Sequence, residues 1–209
     1  MSKCGCEVEI KNKEESKVLV TLLAINVTMF LIEIVAGLLS ESTALIADSL
    51  DMLADAMVYG IALYAVGKSL TKKINAAYFS GIFQIALGLL VIVDVIRRFV
   101  FGSDPESLLM ILIGVIALIA NSICLYLISK HKDGEVHMRA SWIFSKNDVI
   151  ANIGIIIGGV FVYLFGSSYP DLIIGLVISA IVIKGGVSII KDANNELKLI
   201  GKVAPNNDN

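Results

Sequence analysis

Residues 43–66 read TALIADSLDMLADAMVYGIALYAV, and this stretch decides the fold. As an α-helix it would measure about 36 Å, which exceeds the roughly 30 Å of hydrocarbon in a bilayer. Three carboxylates, those of Asp48, Asp51 and Asp55, interrupt it. Their spacing of three and then four residues places them on one face of a helix. The pattern predicts a membrane helix whose acidic face points into a helix bundle.

The composition of the whole chain indicates the same class of protein. Of the 209 residues, 56% are hydrophobic and 17% are charged, whereas soluble domains have about 25% charged residues. The formal net charge of −2 gives no indication of a nucleic-acid partner. The sequence contains no glycine-rich phosphate loop, no nucleophile triad spacing and no second catalytic cluster, so we do not expect an enzyme.

Five further stretches reach the roughly 20 apolar residues that a bilayer span requires. We therefore predict an all-α membrane protein of six transmembrane helices. Residues 1–17 would form an N-terminal tail, 18–190 the transmembrane domain, and 191–209 a short C-terminal tail. The predicted spans are Val18–Leu39, Thr43–Val66, Ala76–Val100, Leu108–Ile128, Ser141–Phe165 and Leu172–Ile190.

The distribution of basic residues predicts the orientation. Thirteen of the 17 lysines and arginines lie in the tails and in the second and fourth loops, whereas the opposite loops carry only Arg97 and Arg98. Because basic loops mark the cytoplasmic side, we expect both termini in the cytoplasm and the chain in a cell membrane, namely a bacterial inner membrane. Asp94, one turn before the two arginines, is expected to neutralise one of them.

Carboxylates inside a bilayer each cost roughly 2.5–3.5 kcal/mol on insertion scales, so they need a partner or a purpose. A divalent cation, or protons, would relieve the repulsion among the three aspartates of the second span. The alternatives are a water-filled vestibule without metal, or pairing with Lys146 or Lys184, which lie near helix ends. We favour metal or proton handling.

The fifth span adds a second polar pair, because Asp148 and Asn152 are four residues apart and share a helix face. With the second and fifth spans antiparallel, Asp51 and Asp148 lie about 6–8 Å either side of the midplane. Oxygens of Asp51, Asp55, Asp148 and Asn152 can then converge near mid-membrane as metal ligands, with Asp48 as an entrance ligand. For Asn152, a hydrogen bond to a neighbouring helix is the alternative.

These residues resemble a known family. The second span is similar to the signature of cation diffusion facilitators, in which an upstream Asp precedes an (H/D)xxxD metal pair: Asp48 matches the upstream acid, and Asp51 and Asp55 match the pair. Asp148 matches the acid of the family's HxxxD helix. The resemblance implies proton-coupled export of zinc-like divalent cations by a homodimer. Further family-like positions are the DVIRR run at 94–98 and Asn26, Glu33 and Asn121.

Two features depart from the family pattern. Phe144 stands at the histidine of HxxxD, so Asn152 is the candidate for the fourth ligand and Asn147 is its rival. The chain also resembles a short form, without the soluble C-terminal domain that helps most members to dimerise and to sense metal.

We therefore expect a divalent metal cation transporter that exports ions from the cytoplasm by proton antiport, with the metal as substrate and no cofactor. A passive ion or proton channel is the alternative. Oxygen ligands without His or Cys favour harder ions than a histidine-containing site. Zinc, iron, cobalt and manganese are all left open.

Weaker signals lie in the tail and in the fourth loop. Cys4 and Cys6 could capture a soft metal at the cytoplasmic mouth. His131 and His137 could relay metal, but a solvated loop is the simpler interpretation.

Small residues within the spans predict packing. Cys124 is expected to fill a small space between helices. Gly154 and Gly158 form a GxxxG pattern, which predicts close helix contact and offers a surface for a dimer.

Overall fold

The computed structural model describes residues 4–65, 70–130 and 136–203, with the side chains of 4–15, 136–141 and several other positions outside that description. Within the described ranges the chain forms six helices and no strand, so the predicted all-α fold is confirmed. The helices are α1 (Cys4–Leu39), α2 (Thr43–Ala65), α3 (Leu70–Phe101), α4 (Ser107–Ser129), α5 (Val136–Phe165) and α6 (Tyr169–Val203).

Five of the described helices contain a segment that is long and apolar enough to cross a membrane. The sixth, α2, has 23 residues, which is sufficient length at about 1.5 Å per residue, but its three aspartates set it apart from the uniformly apolar segments. Neighbouring helices separate those aspartates from lipid, because α2 contacts α1, α3, α5 and α6. The helix with three aspartates inside its span thus contacts more neighbouring helices than any other described helix, as a buried acidic face requires.

Helices α1, α3, α5 and α6 extend beyond the predicted spans at the end of the bundle that carries most of the basic residues. Hydropathy marks only the lipid-facing part of a helix, whereas Glu- and Lys-rich flanks continue the same helix into water. At the opposite end, Gly102 and Gly166 have φ of 83° and 58° and directly follow α3 and α5. Glycine in this left-handed conformation commonly ends a helix, so these two boundaries agree with the sequence.

The helices pack mainly in three pairs, α1 with α2, α3 with α6, and α4 with α5. Small residues set the closest approach: a Cβ at Gly81 of α3 would lie 2.8 Å from the backbone oxygen of Gly186 on α6. The GxxxG face of α5 is also used within the chain, because a Cβ at Gly158 would lie 3.1 Å from the Ile174 side chain of α6. The prediction of close helix packing at this face is confirmed.

The start of α2 is anchored to the start of α6 by one buried carboxylate. Asp171 accepts hydrogen bonds from the Ser42 hydroxyl at 2.6 Å, the Thr43 amide at 2.7 Å and the Ala44 amide at 3.0 Å. Ser42 in turn caps α2, since its Oγ accepts from the Leu45 amide at 3.2 Å. The first turn of a helix has amides without intrahelical acceptors, and here a distant helix supplies the acceptor.

The turn between α1 and α2 is also attached to α3. Asp94 pairs with Arg97 at 2.8 Å and with Arg98 at 2.6 Å, so it neutralises both arginines rather than the single one expected. Arg98 additionally donates a hydrogen bond to the backbone oxygen of Glu41. Glu41 has a φ of 51°, which is unfavourable for a side chain with a Cβ, and this contact helps to hold it there.

Candidate cation site

The acidic face of α2 is buried in the centre of the bundle. Asp48 is 0% exposed, Asp51 is 8% exposed and Asp55 is 2% exposed. One side of α2 therefore holds three carboxylates away from the lipid-facing surface, as their spacing predicts. Helices α1 and α5 both contact α2, and they supply the other polar side chains of the cluster.

Helix α5 brings the predicted second pair to this face. Asp148 and Asn152 are both buried, and the Asp148 carboxyl lies within electrostatic range of Asp55, Asp51 and Asp48. The structure thus brings together the side chains that the sequence singled out on α2 and α5. We call the set Asp48, Asp51, Asp55, Asp148 and Asn152 the acidic cluster.

The side-chain amide of Asn152 forms a hydrogen bond within its own helix. Its Nδ2 donates to the backbone oxygen of Asp148, one turn earlier in the same helix, at 2.8 Å. Its Oδ1 has no partner among the described residues. The hydrogen bond to another helix, the alternative that the sequence left open, is not formed there. Asn152 instead presents a buried acceptor, whereas its rival Asn147 is half-buried.

Glu33 of α1 is a fifth carboxylate at the cluster, and sequence reasoning gave it no role beyond a family-like position. It is fully buried, and it lies within electrostatic range of Asp48, Asp51 and Asp148. The Glu33 and Asp48 carboxyls are hydrogen-bonding neighbours of each other, and no other described group donates to their four oxygens. A charge inside the membrane is costly, and this argument singled out the aspartates of α2. The same argument applies to a glutamate in the first span, so it could have identified Glu33 from the sequence.

Tyr59 and Ser145 form a second feature that sequence reasoning missed. The Tyr59 hydroxyl donates to Oδ2 of Asp55 at 3.1 Å and lies 3.4 Å from Oγ of Ser145 on α5. Both side chains are 0% exposed. Tyr59 is one helical turn beyond Asp55 and therefore shares its face. That spacing could have indicated from the sequence that the hydroxyl reaches Asp55.

No basic side chain neutralises the cluster among the described residues. Lys146 is exposed, with its Nζ 5.9 Å from the centre of the Trp142 ring, and Lys184 is exposed on α6. The buried Arg98 pairs with Asp94. Buried carboxylates without a counter-charge are strongly unfavourable, so the cluster needs protons or a cation from outside the chain.

The acids do not already form a closed coordination shell. In the described part of the chain, no three His, Cys, Asp or Glu side chains stand close enough together to hold a metal ion. Ligation by this cluster therefore requires the carboxyls of α2 and α5 to approach one another. Helix α2 makes less contact with α5 than with α1.

Several residues singled out from the sequence lie outside the described part of the structure. The side chains of Cys4, Cys6, His137 and Phe144 are among them, and so is the whole of His131. Cys124 is a free thiol packed with hydrophobic residues of α1, α2 and α4, which confirms its predicted packing role; its neighbours are Leu19, Leu22, Tyr59 and Ile128.

Six helices around a buried set of carboxyls define a polytopic membrane protein with an ionisable interior. The chain belongs to the cation efflux family, since the model of the cation efflux transmembrane domain matches residues 19–197. That match includes α2 and α5 and therefore the whole acidic cluster. It confirms the resemblance drawn from the aspartate motifs.

Curated relatives are similar to the chain over 123 residues, which is 58% of its length. They include the "Cadmium, cobalt and zinc/H(+)-K(+) antiporter" of Bacillus velezensis at 25% identity and the protein of the same name from Bacillus subtilis at 23%. The "Zinc transporter ZitB" of Escherichia coli is 28% identical. The match covers 39–40% of these relatives, so the chain spans about two fifths of the length of the curated relatives it matches.

Proposed function

We propose that this chain carries divalent metal cations across the membrane and that the acidic cluster binds the ion in transit. The observation that carries the proposal is the set of buried carboxyls from α2 and α5, which has no basic partner among the described residues. Membership of the cation efflux family and relatives named for zinc, cadmium and cobalt support it. The proposed substrates are zinc-like ions, with iron and manganese as further candidates.

Asp51, Asp55 and Asp148 are the proposed charged ligands. These three carboxylates exceed the charge of one dication, so binding an ion neutralises two of their three negative charges. The free Oδ1 of Asn152 is the proposed fourth ligand, in place of the histidine that the family motif has at Phe144. Asp48 is the proposed ligand at the opening of the site.

Glu33 extends the proposed path beside Asp48. Both residues lie near the end of the bundle where α1 ends and α2 begins, whereas Asp55 and Asp148 lie deeper. The two carboxyls adjoin each other and have no other described hydrogen-bond donor, which makes this segment a place where an ion or protons can be held on the way through.

Export by proton antiport is the proposed mechanism. A metal ion displaces protons from the carboxyls that bind it, and reprotonation from the opposite side releases the ion there. A change in the packing of α2 against α5 would expose the cluster to each side in turn. Protons and metal compete for the same oxygens, so transport should fall at acid pH.

The arrangement in the cell is also part of the proposal. Both termini would be cytoplasmic in a bacterial inner membrane, with residues 18–190 as the transport domain and 1–17 and 191–209 as tails. We propose a homodimer held together by its membrane helices, in which small residues such as Gly154 and Gly158 allow close packing.

Purified protein in sealed liposomes tests the function directly. Metals are added outside one at a time, and a trapped pH dye and a trapped metal dye record proton and metal fluxes. We expect saturable metal uptake with opposite proton movement, and loss of both in Asp55→Asn. The matched control is Asp192→Asn, which removes an exposed charge on α6.

Three results would contradict the proposal. Metal flux that does not saturate and moves no protons would identify a passive channel. Proton flux that is independent of metal would identify a proton channel. Wild-type rates in Asp55→Asn would show that the acids only hydrate a cavity.

A further inference from the structure

The Tyr59 hydroxyl makes the two carboxyl oxygens of Asp55 unequal as metal ligands. Oδ2 accepts its hydrogen bond at 3.1 Å. The other hydrogen-bonding neighbour of the Asp55 side chain is the carboxyl of Asp148, which is itself a proposed ligand. A carboxylate can bind a metal through one oxygen or through both. The fixed donor occupies one lone pair of Oδ2, so Oδ1 is the oxygen of Asp55 that binds an ion without competition from Tyr59.

The ring of Tyr59 cannot easily turn away from this position. It is 0% exposed, and it packs with Leu19, Leu22, Cys124 and Ile128. Ser145 of α5 lies 3.4 Å from the same hydroxyl, so the group is held from two helices. The hydrogen bond to Asp55 is therefore pre-formed by the packing of the bundle.

We propose that Tyr59 determines which size of cation the site prefers, because it limits Asp55 to ligation through a single oxygen. This inference rests on the proposed function, with Asp55 as a ligand. Small dications such as Zn²⁺ are commonly held by four ligands, whereas larger dications take more oxygens and often both oxygens of a carboxylate. Engaging Oδ2 thus disfavours a large ion such as Cd²⁺ more than Zn²⁺.

The chemistry of the proposed ligands does little to distinguish one divalent cation from another. They offer only oxygen atoms, so ligand softness distinguishes little among the ions. Selection then depends on the number of ligands and the size of the cavity. Tyr59 acts on the number of ligands without itself binding the ion, so it is a positioning residue.

The test compares zinc and cadmium transport in liposomes over a range of concentrations. In Tyr59→Phe the ring and its packing stay and only the hydroxyl is removed. We expect the ratio of kcat/KM for cadmium to that for zinc to rise about fivefold, which is the order of effect of one hydrogen bond. Ser145→Ala, which removes the second contact of the hydroxyl, should raise the ratio by a smaller factor.

Tyr163→Phe is the matched control, since that tyrosine is 76% exposed and should leave the ratio unchanged. An unchanged ratio in Tyr59→Phe, or an equal loss of both metals, would overturn the inference, because a purely structural role changes both ions alike. Should Tyr59→Phe fail to insert, an unchanged ratio in Ser145→Ala overturns it instead. Failure of the wild type to move either metal would refute the proposed function itself, which is a separate outcome.

Discussion

Replacing Asp171 with alanine should destabilise the fold far from the acidic cluster. The carboxylate accepts from the amides of Thr43 and Ala44 and from the hydroxyl of Ser42. Alanine leaves two buried backbone donors of α2 without an acceptor, at about 1–3 kcal/mol each. Water and the remaining cap by Ser42 recover part of this, so we expect a loss of roughly 2–4 kcal/mol in the free energy of unfolding.

Cys124 provides the assay, because it is a buried free thiol that becomes accessible when the bundle opens. With Cys4 and Cys6 replaced by serine, a thiol-reactive fluorogenic dye reports unfolding as the temperature rises. At about 2–4 °C per kcal/mol for a chain of this length, Tm should fall by roughly 4–16 °C. Asp192→Ala, an exposed position on the same helix, is the control. If Asp171→Ala has the same Tm as that control, Asp171 does not anchor α2 to α6.

Three further predictions concern ligands, selectivity and orientation. Asp148→Ala should lower the transport rate at least about a hundredfold, whereas Asn152→Ala should cost nearer tenfold because it removes a dipole rather than a charge; equal losses in the liposome assay would contradict these roles. Phe144→His should shift preference toward zinc, since imidazole suits that ion, and an unchanged ranking of metals would remove position 144 from the site. Cysteines introduced at Asp104 and Lys130, both exposed, should react with an impermeant reagent from outside and from the cytoplasm respectively; the reverse pattern would invert the proposed topology.

Local sequence patterns were sufficient for the class of fold. The length of each apolar run fixes where a helix can cross a bilayer, and Gly102 and Gly166 end α3 and α5 where the sequence breaks. The acidic face of α2 is also a local property, because residues three and four apart on a helix share a side. Hydropathy predicts only the apolar part of a helix, however, so α1 and α6 extend beyond the predicted spans.

Only the tertiary structure decided which side chains meet across helices. The contact between Tyr59 and Ser145 joins residues 86 positions apart, and the contact between Ser42 and Asp171 joins residues 129 positions apart. The packing of Gly158 against Ile174 of α6 is of the same kind. The periodicity of polar residues predicts which face of a helix is polar. Which side chains of other helices contact that face depends on how the helices pack. The sequence by itself therefore determined the acidic stripe of α2, and the packing of α1 and α5 against α2 determined which groups adjoin it.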